Sequence, residues 1–427
     1  MPPILAPEYR HWRVRIFALT WLAYAGFYLC RKNFSVAMPL LTDELGYTKL
    51  DFANVLFAYS LLYMLGQFLN GMLSDRFGAR FMVGLGLLIS VCANTALGFT
   101  TTLLGFFLLS SINGYAQSTG WSGTIKNMSA WFEHHERGVV MGWWCTCYVL
   151  GGVIATFVAT YAAVDMPMFA EFGWRRAFWA PAMLLLLVAI TYAIFTRNKP
   201  SDVGLANLTA EEDPAVRAAL RASHGHFYQT LRLLRIPALW VAGGTYFFLK
   251  LTRYAFLFWL PLYMTEALNY EANVAGYTSG AFEFIEFTGA ILAGIVSDKL
   301  FQSRRFAVAC IMLIGLAIAC LIHPSLAALG FAGNILGIGL IGIMTFGPDS
   351  LMAAPAAQDI GTDEGAGTAA GVINGIGSLG QMCSGYVVAI VSSRYGWDAM
   401  FYLFVVFALI SAGLTATKWN HGRIAPR

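Results

Sequence analysis

Along the chain, apolar runs of about 20 residues alternate with short polar breaks, and about 20 residues is the length a helix needs to cross a bilayer at roughly 1.5 Å per residue. Twelve such runs are predicted, beginning near Phe17, Asp51, Phe81, Leu103, Val139, Phe178, Ala238, Val274, Ala307, Leu329, Thr368 and Met400. The one long polar interruption covers 197–235 and holds Glu211, Glu212, Asp213 and Pro214. It divides the chain into an expected first six-helix bundle, 1–196, a cytoplasmic linker, 197–235, and a second six-helix bundle, 236–427. The pattern predicts an all-α membrane protein with twelve transmembrane helices.

Composition sharpens this picture. Of 427 residues 58% are hydrophobic and only 12% charged, against roughly 25% charged in an ordinary soluble domain. Mean hydropathy is +0.62, and 32 Phe, 12 Trp and 19 Tyr suit aromatic belts at both membrane surfaces. Arg10, Arg13 and Arg15 precede the first apolar run, which has no small-residue cleavage site at its end, so a retained first helix is expected. Basic residues gather in that tail, in the Asp75–Arg80 turn, at Arg137 and around Arg217, Arg221, Arg232 and Arg235. By the positive-inside rule those segments, and with them both termini, are cytoplasmic. The seven cysteines, Cys147 among them, all fall in apolar runs without metal-ligand spacing. The seven histidines fall near predicted helix ends or in loops. No nucleophile elbow, phosphate-cradling glycine loop or histidine cluster is present, which argues against an enzyme. Nothing calls for a cofactor, a metal or nucleic acid; lipid is the expected surrounding, and a single chain is expected to act as a monomer.

Three landmarks repeat. Gly71-Met72-Leu73-Ser74-Asp75-Arg76 returns 223 positions later as Gly294-Ile295-Val296-Ser297-Asp298-Lys299, and Gly173-Trp174-Arg175-Arg176-Ala177-Phe178 returns as Gly396-Trp397-Asp398-Ala399-Met400-Phe401. Arg31 and Arg253 are 222 apart. Parallel six-helix repeats with a site at the midplane resemble the major facilitator arrangement. The Ser-Asp-Arg turn resembles that superfamily's signature loop: Asp75 suits a helix N-terminus while Arg76 and Arg80 face the cytoplasm, as a latch or as topological charge alone. Asp298 holds the equivalent place in the second half.

The charges inside the helices narrow the chemistry. Arg31 and Lys32 lie about fifteen residues into the first run and Lys250 and Arg253 about as far into the seventh, where one cation costs roughly 2.5–3.5 kcal/mol. Candidate counter-charges are Glu283 and Glu286 in the eighth run and Asp349, nearer the cytoplasmic end of the tenth. These can neutralise Lys32 and one other cation but leave little for Arg31 and Arg253. The surplus suggests an anionic ligand gripped by one arginine fork from each half; a structural bridge from an arginine to an eighth-helix glutamate is the competing reading. Lys250 is either a second anion donor or the partner of Glu283. Glu283 and Glu286 share a face, for pairing and gating or for proton coupling. Asp349, after Phe346-Gly347-Pro348, is a gate, a cap or a site residue. Tyr24, Tyr28, Gln67, Gln117 and Trp121 place polar tips in apolar helices, for a ligand or for bonding between helices.

At these residues the chain resembles the organophosphate:phosphate antiporters, the bacterial glycerol-3-phosphate and hexose-6-phosphate transporters. The resemblance runs over nearly the whole chain. It is most specific at Tyr24 to Pro39 around Arg31-Lys32-Asn33-Phe34, and recurs at Gly120-Trp121, Arg253-Tyr254 with Trp259 and Pro261, Ser297-Asp298-Lys299 and Gly367-Thr368-Ala369-Ala370-Gly371. It implies that Arg31 and Arg253 hold phosphate, that Lys32 pairs with acids, and that Glu283 stands where the family has glutamate. It also implies exchange of a small organic phosphate for inorganic phosphate by alternating access in a bacterial inner membrane. Three positions depart from glycerol-3-phosphate carriers: Gln67 replaces a lysine, Cys147 a histidine, and Lys250 a tyrosine. A cation lost from the second helix and one gained on the seventh suggest a relocated contact, to the phosphate or to a second anionic group such as a carboxylate. Two other functions fit the same residues: a membrane sensor of sugar phosphate that signals to a histidine kinase, and a proton-coupled organic-anion symporter.

Overall fold

A computed structural model describes residues 7–132, 137–207, 234–353 and 355–421. Twelve helices follow one another among the described residues. They are α1 (Pro7–Leu45), α2 (Lys49–Phe77), α3 (Ala79–Leu97), α4 (Leu103–Trp131), α5 in two pieces (Arg137–Trp144 and Thr146–Thr160) and α6 (Arg176–Phe195). After the linker come α7 (Pro237–Leu268), α8 (Ala272–Ile295), α9 (Arg305–Ala327), α10 (Phe331–Ala353), α11 (Pro355–Tyr395) and α12 (Trp397–Ala416). The linker positions Arg217, Arg221 and Arg232, with Glu211 to Pro214, lie outside the described residues.

Most helices start within a few positions of the apolar runs. Two start well before them: α1 at Pro7 instead of Phe17, and α11 at Pro355 instead of Thr368. A hydropathy window detects the stretch that suits lipid, whereas backbone hydrogen bonding carries a helix on into polar surroundings. The fifth run is not continuous, being interrupted at Cys145 and ending in a π-helical turn, Tyr161–Asp165. Among the described residues, eight helices are long and apolar enough to cross a membrane by composition alone: α3, α5, α6, α8, α9, α10, α11 and α12. Arg31 and Lys32 lie in α1, Gln67 in α2, Gln117 in α4, and Lys250 and Arg253 in α7.

Contacts divide the chain into two compact units, Met1–Tyr47 with Asn54–Ala222 and Thr48–Ala53 with Ser223–Arg427. Within the first, α1 packs on α5, α6 and α4, and α3 packs on α4 and α6. Within the second, α7 packs on α11, α12 and α10, and α9 packs on α10 and α12. Each of these partnerships of the first unit therefore returns six helices later, so the sequence repeat is also a repeat of packing.

The recurring Gly-Trp pair has a backbone cause. Gly173 sits at φ 51° and Gly396 at φ 83°, each in the bend that leads into the last helix of its unit. Residues with a Cβ adopt that region at a penalty. Downstream, Trp174 is fully buried against Phe106 and Phe178, while the Trp397 indole donates to Glu266 at 2.9 Å.

One of the seven histidines is fully buried. His323 is fully buried in α9, its Nε2 2.9 Å from the Tyr263 hydroxyl and its ring 4.4 Å from that of Phe401. It lies in the last turns of its helix, where the sequence put it.

Candidate functional site

In the first unit the site grows from a break in α1. Cys30 leaves helical geometry, at φ −102° and ψ 17°, one residue before Arg31. Its carbonyl accepts from Asn113 Nδ2 at 2.7 Å and Gln117 Nε2 at 2.9 Å, two α4 side chains one turn apart. The Phe34 N–H, which a regular helix would aim at that carbonyl, is taken by Asn33 Oδ1 at 2.9 Å. Asn113 Oδ1 accepts from Ser90 at 2.6 Å, and Asn33 donates to Asn94 at 2.9 Å. A buried polar group left without a partner costs roughly 1–3 kcal/mol. This buried network meets that demand on both sides of the bend.

Arg31 stands on the network. Its Nε donates to Gln117 Oε1 at 2.8 Å, and the Tyr59 hydroxyl donates to the same oxygen at 2.9 Å. The guanidinium lies over the Tyr28 ring at 4.5 Å and the Tyr63 ring at 5.0 Å. Its Nη2 is buried with no acceptor, and among the described residues no carboxylate lies within ion-pair distance. Arg31 thus has one edge fixed, two aromatic faces, and one donor with nothing to donate to.

Other expected residues cluster beside it. Tyr24 packs on Tyr28, Trp121 and Trp144 with ring centres 5.3–6.0 Å apart, in the same apolar cluster as Cys147. Trp121 and Tyr28 edge that cluster. Lys32 is buried at 2% exposure. Gln67 on α2 is half-buried and makes no hydrogen bond among the described residues, so nothing ties it to Arg31.

The second unit is arranged differently. Arg253 Nη2 meets Glu286 Oε1 at 2.8 Å, Nη1 lies 3.7 Å from Asp349 Oδ2, and the guanidinium covers the Phe346 ring at 4.3 Å. The expectation that Arg253 has little counter-charge is therefore corrected. The cause is packing: α8 and α10 lie against each other and against α7, which brings two acids from different helices onto one arginine. Asp349 sits at this group, at 5% exposure. Glu283 is buried on the same helix face as Glu286. Lys250 is not bonded to Glu283. Its Nζ reaches Asn374 Oδ1 on α11 at 3.5 Å and lies over the Tyr246 ring at 4.9 Å.

At the turn after α8, a π-helical segment Val296–Leu300 presents Asp298, which pairs with Arg305. Arg305 also donates to Ser297 at 2.9 Å and lies 3.8 Å from Asp359. In the matching turn of the first unit Arg76 is exposed beside the Phe77 ring, and Lys126 caps α2 through the Ser74 carbonyl at 2.7 Å. The Asp75 side chain lies outside the described residues.

Sequence reasoning missed Tyr59, Tyr63, Asn113, Tyr246 and Asn374. Tyr59 and Tyr63 carry the same signal as Tyr24 and Tyr28, two tyrosines four apart in an apolar helix, and were legible on that ground. Asn113 and Asn374 carry no such signal; only the bend in α1 and the position of Lys250 give them partners.

Residues 20–382 match the profile of the Major Facilitator Superfamily. The chain belongs to that superfamily. As a major facilitator it is a multi-pass membrane transport protein and not an enzyme. It is 29% identical over 98% of its length, and 94% of the relative's, to the glycerol-3-phosphate transporter of Bacillus subtilis strain 168. It is 28% identical to the probable hexose phosphate transport protein of Chlamydia trachomatis serovar D, covering 98% of this chain and 93% of that one. It is also 29% identical to the membrane sensor protein UhpC of Escherichia coli K12, covering 95% and 92%. Among solved structures, a bacterial homologue of the human lysosomal transporter Spinster superposes with a TM-score of 0.80 over 97% of this chain and 99% of that one, at 15% identity.

Proposed function

We propose that this chain exchanges a small organic phosphate, of the sugar phosphate, glycerol phosphate or phosphoglycerate type, for inorganic phosphate across a bacterial inner membrane. The observation that carries the reading is Arg31, whose guanidinium has no acid beside it among the described residues and keeps a buried donor unused. A phosphate oxygen supplies both the missing charge and the missing acceptor. Two six-helix halves, 1–196 and 236–427, joined by a cytoplasmic linker and with both termini cytoplasmic, would alternate access around the ligand. Arg31 holds the phosphate, with Tyr28, Gln117 and Tyr63 setting its orientation. Tyr24, Trp121 and Gln67 face the organic part, and Arg253 joins the second half to the ligand while exchanging acids with it. Similarity to glycerol phosphate and hexose phosphate carriers supports this substrate class.

The purified chain in liposomes preloaded with inorganic phosphate tests it. Saturable uptake of labelled phosphate that persists with a protonophore and requires phosphate inside is the expected result. Uptake that collapses with the protonophore would establish a proton-coupled symporter instead. A second reading, a sensor of sugar phosphate, is favoured by the equal similarity to the membrane sensor protein UhpC. Ligand binding without any exchange would establish it.

A further inference from the structure

We propose that the first turns of α1, with the last turn of α6, form a groove that seats one anionic phospholipid, its phosphate on Arg10 and Arg15 and an acyl chain along Val14, Ala18 and Phe195. The inference stands apart from the transport reading and holds whichever ligand the chain carries. Both helices belong to the first unit and pack on each other.

α1 begins at Pro7, well before the apolar run that opens at Phe17. At roughly 1.5 Å per residue that extra length is about 15 Å, which sets Arg10 to Arg15 at headgroup depth. The extension is tied down. The Trp12 ring stacks on that of Trp131 at 5.8 Å, the Trp131 indole donates to the Arg197 carbonyl at 3.2 Å, and the Tyr9 hydroxyl donates to the Ala206 carbonyl. A wall already in place spares a ligand the ordering of a loose tail.

One side of this segment, with Phe195, lines an open groove of about 970 Å³. Pro7, His11, Val14 and Ala18 recur along it at the three- and four-residue spacing of a single helix face, with Arg10 and Arg15 at its flanks. Val14 is 64% exposed and Phe195 44%. The Arg15 guanidinium lies over the Trp12 ring at 4.6 Å and the Phe195 ring at 4.9 Å, so hydrocarbon covers its flat faces and its N–H edges are left for oxygen acceptors. Arg10 is exposed, and neither arginine makes an ion pair among the described residues.

The acids nearby are engaged elsewhere. Glu8 lines a separate recess with Trp12 and Leu205, and Asp202 accepts from the Asn198 and Lys199 N–H groups at 2.9 and 3.2 Å. Arg197, which donates to the Ile194 and Thr196 carbonyls, adds positive charge beside Phe195. A free phosphate would leave Val14, Ala18 and Phe195 uncovered, and a zwitterionic lipid would bring its ammonium against the arginines. An anionic phospholipid satisfies both the charge and the apolar surface.

The test titrates the full chain, delipidated in a non-ionic detergent, with phosphatidylglycerol or phosphatidylcholine of identical chains and reads the melting temperature. Phosphatidylglycerol should act at a concentration about 25-fold lower, since each arginine at an anionic surface contributes about fivefold. Arg10→Gln combined with Arg15→Gln should bring the two lipids within about twofold of each other. Arg175→Gln, just before the opposite end of α6, should leave the gap unchanged. Ala18→Trp fills the groove without altering charge and should shrink the gap to under about fivefold. Equal response of the unaltered chain to the two lipids would overturn the site. So would a gap that survives Ala18→Trp, or one that Arg175→Gln closes as fully as the double variant. Inorganic phosphate alone should affect the unaltered chain and the double variant equally; an effect lost in the double variant would establish a site for the free ion in place of the lipid. If the double variant is not recovered folded, Arg10→Gln alone, at an exposed position, should narrow the gap about fivefold.

Discussion

The two arginines that the repeat places in register have opposite surroundings. Arg31 is held by neutral groups, an amide oxygen and two aromatic faces, and retains a donor without an acceptor. Arg253 is held by two carboxylates, with its Nε also buried without an acceptor. Duplicated helices have thus kept a cation at matching positions and diverged in what neutralises it. An arginine without an acid attracts an anion permanently, whereas one bound to two acids must be released from them first. The first suits recognition, the second a coupled exchange of partners.

The comparison can be broken most severely at the second unit. Arg253→Met leaves Glu286 and Asp349 as buried acids without their ion-pair partner, and should lower stability in detergent by about 3–5 kcal/mol. Glu286→Gln should cost less, since Asp349 still faces the arginine. A melting temperature for Arg253→Met equal to that of the unaltered chain would show the carboxylate pairing to be unimportant.

At the first unit the effect should fall on transport. Arg31→Lys keeps charge and loses the fork, and should slow phosphate exchange at least about a hundredfold with insertion intact. Exchange at the normal rate in that variant would remove the phosphate site from α1. Gln117→Leu takes away the acceptor for Arg31 Nε and one donor to the Cys30 carbonyl, and should weaken half-saturation by phosphate about tenfold. The smallest effect concerns the aromatic faces. Tyr63→Leu should weaken phosphate binding roughly threefold through loss of a cation–π contact, while Tyr63→Phe stays near normal. Equal losses in the two Tyr63 variants would point to the hydroxyl and away from the ring.

Hydropathy made the architecture readable, because lipid forces helices of fixed length and the repeats fall at one offset. The positions of Arg31, Gln117, Tyr24 and Trp121 together were legible too, each being a polar or aromatic tip in an apolar helix. What the sequence could not show was the partner of Arg253. Glu286 lies 33 residues and Asp349 nearly a hundred residues from it along the chain, and only the packing of α7, α8 and α10 decides which acid reaches which cation. Nor could it show the break at Cys30, since cysteine carries no propensity for one. The cause lies in Asn113 and Gln117, side chains more than eighty positions away.

That break has a further consequence for selectivity. With its carbonyl claimed by two α4 amides, the turn ahead of Arg31 cannot straighten without stranding an acceptor, so α4 acts as a jig that fixes where the guanidinium stands. A site set by such a fixture discriminates by shape as well as by charge. Loosening Asn113 should therefore blur the distinction between phosphate and similarly charged but differently sized oxyanions before it abolishes binding to any of them.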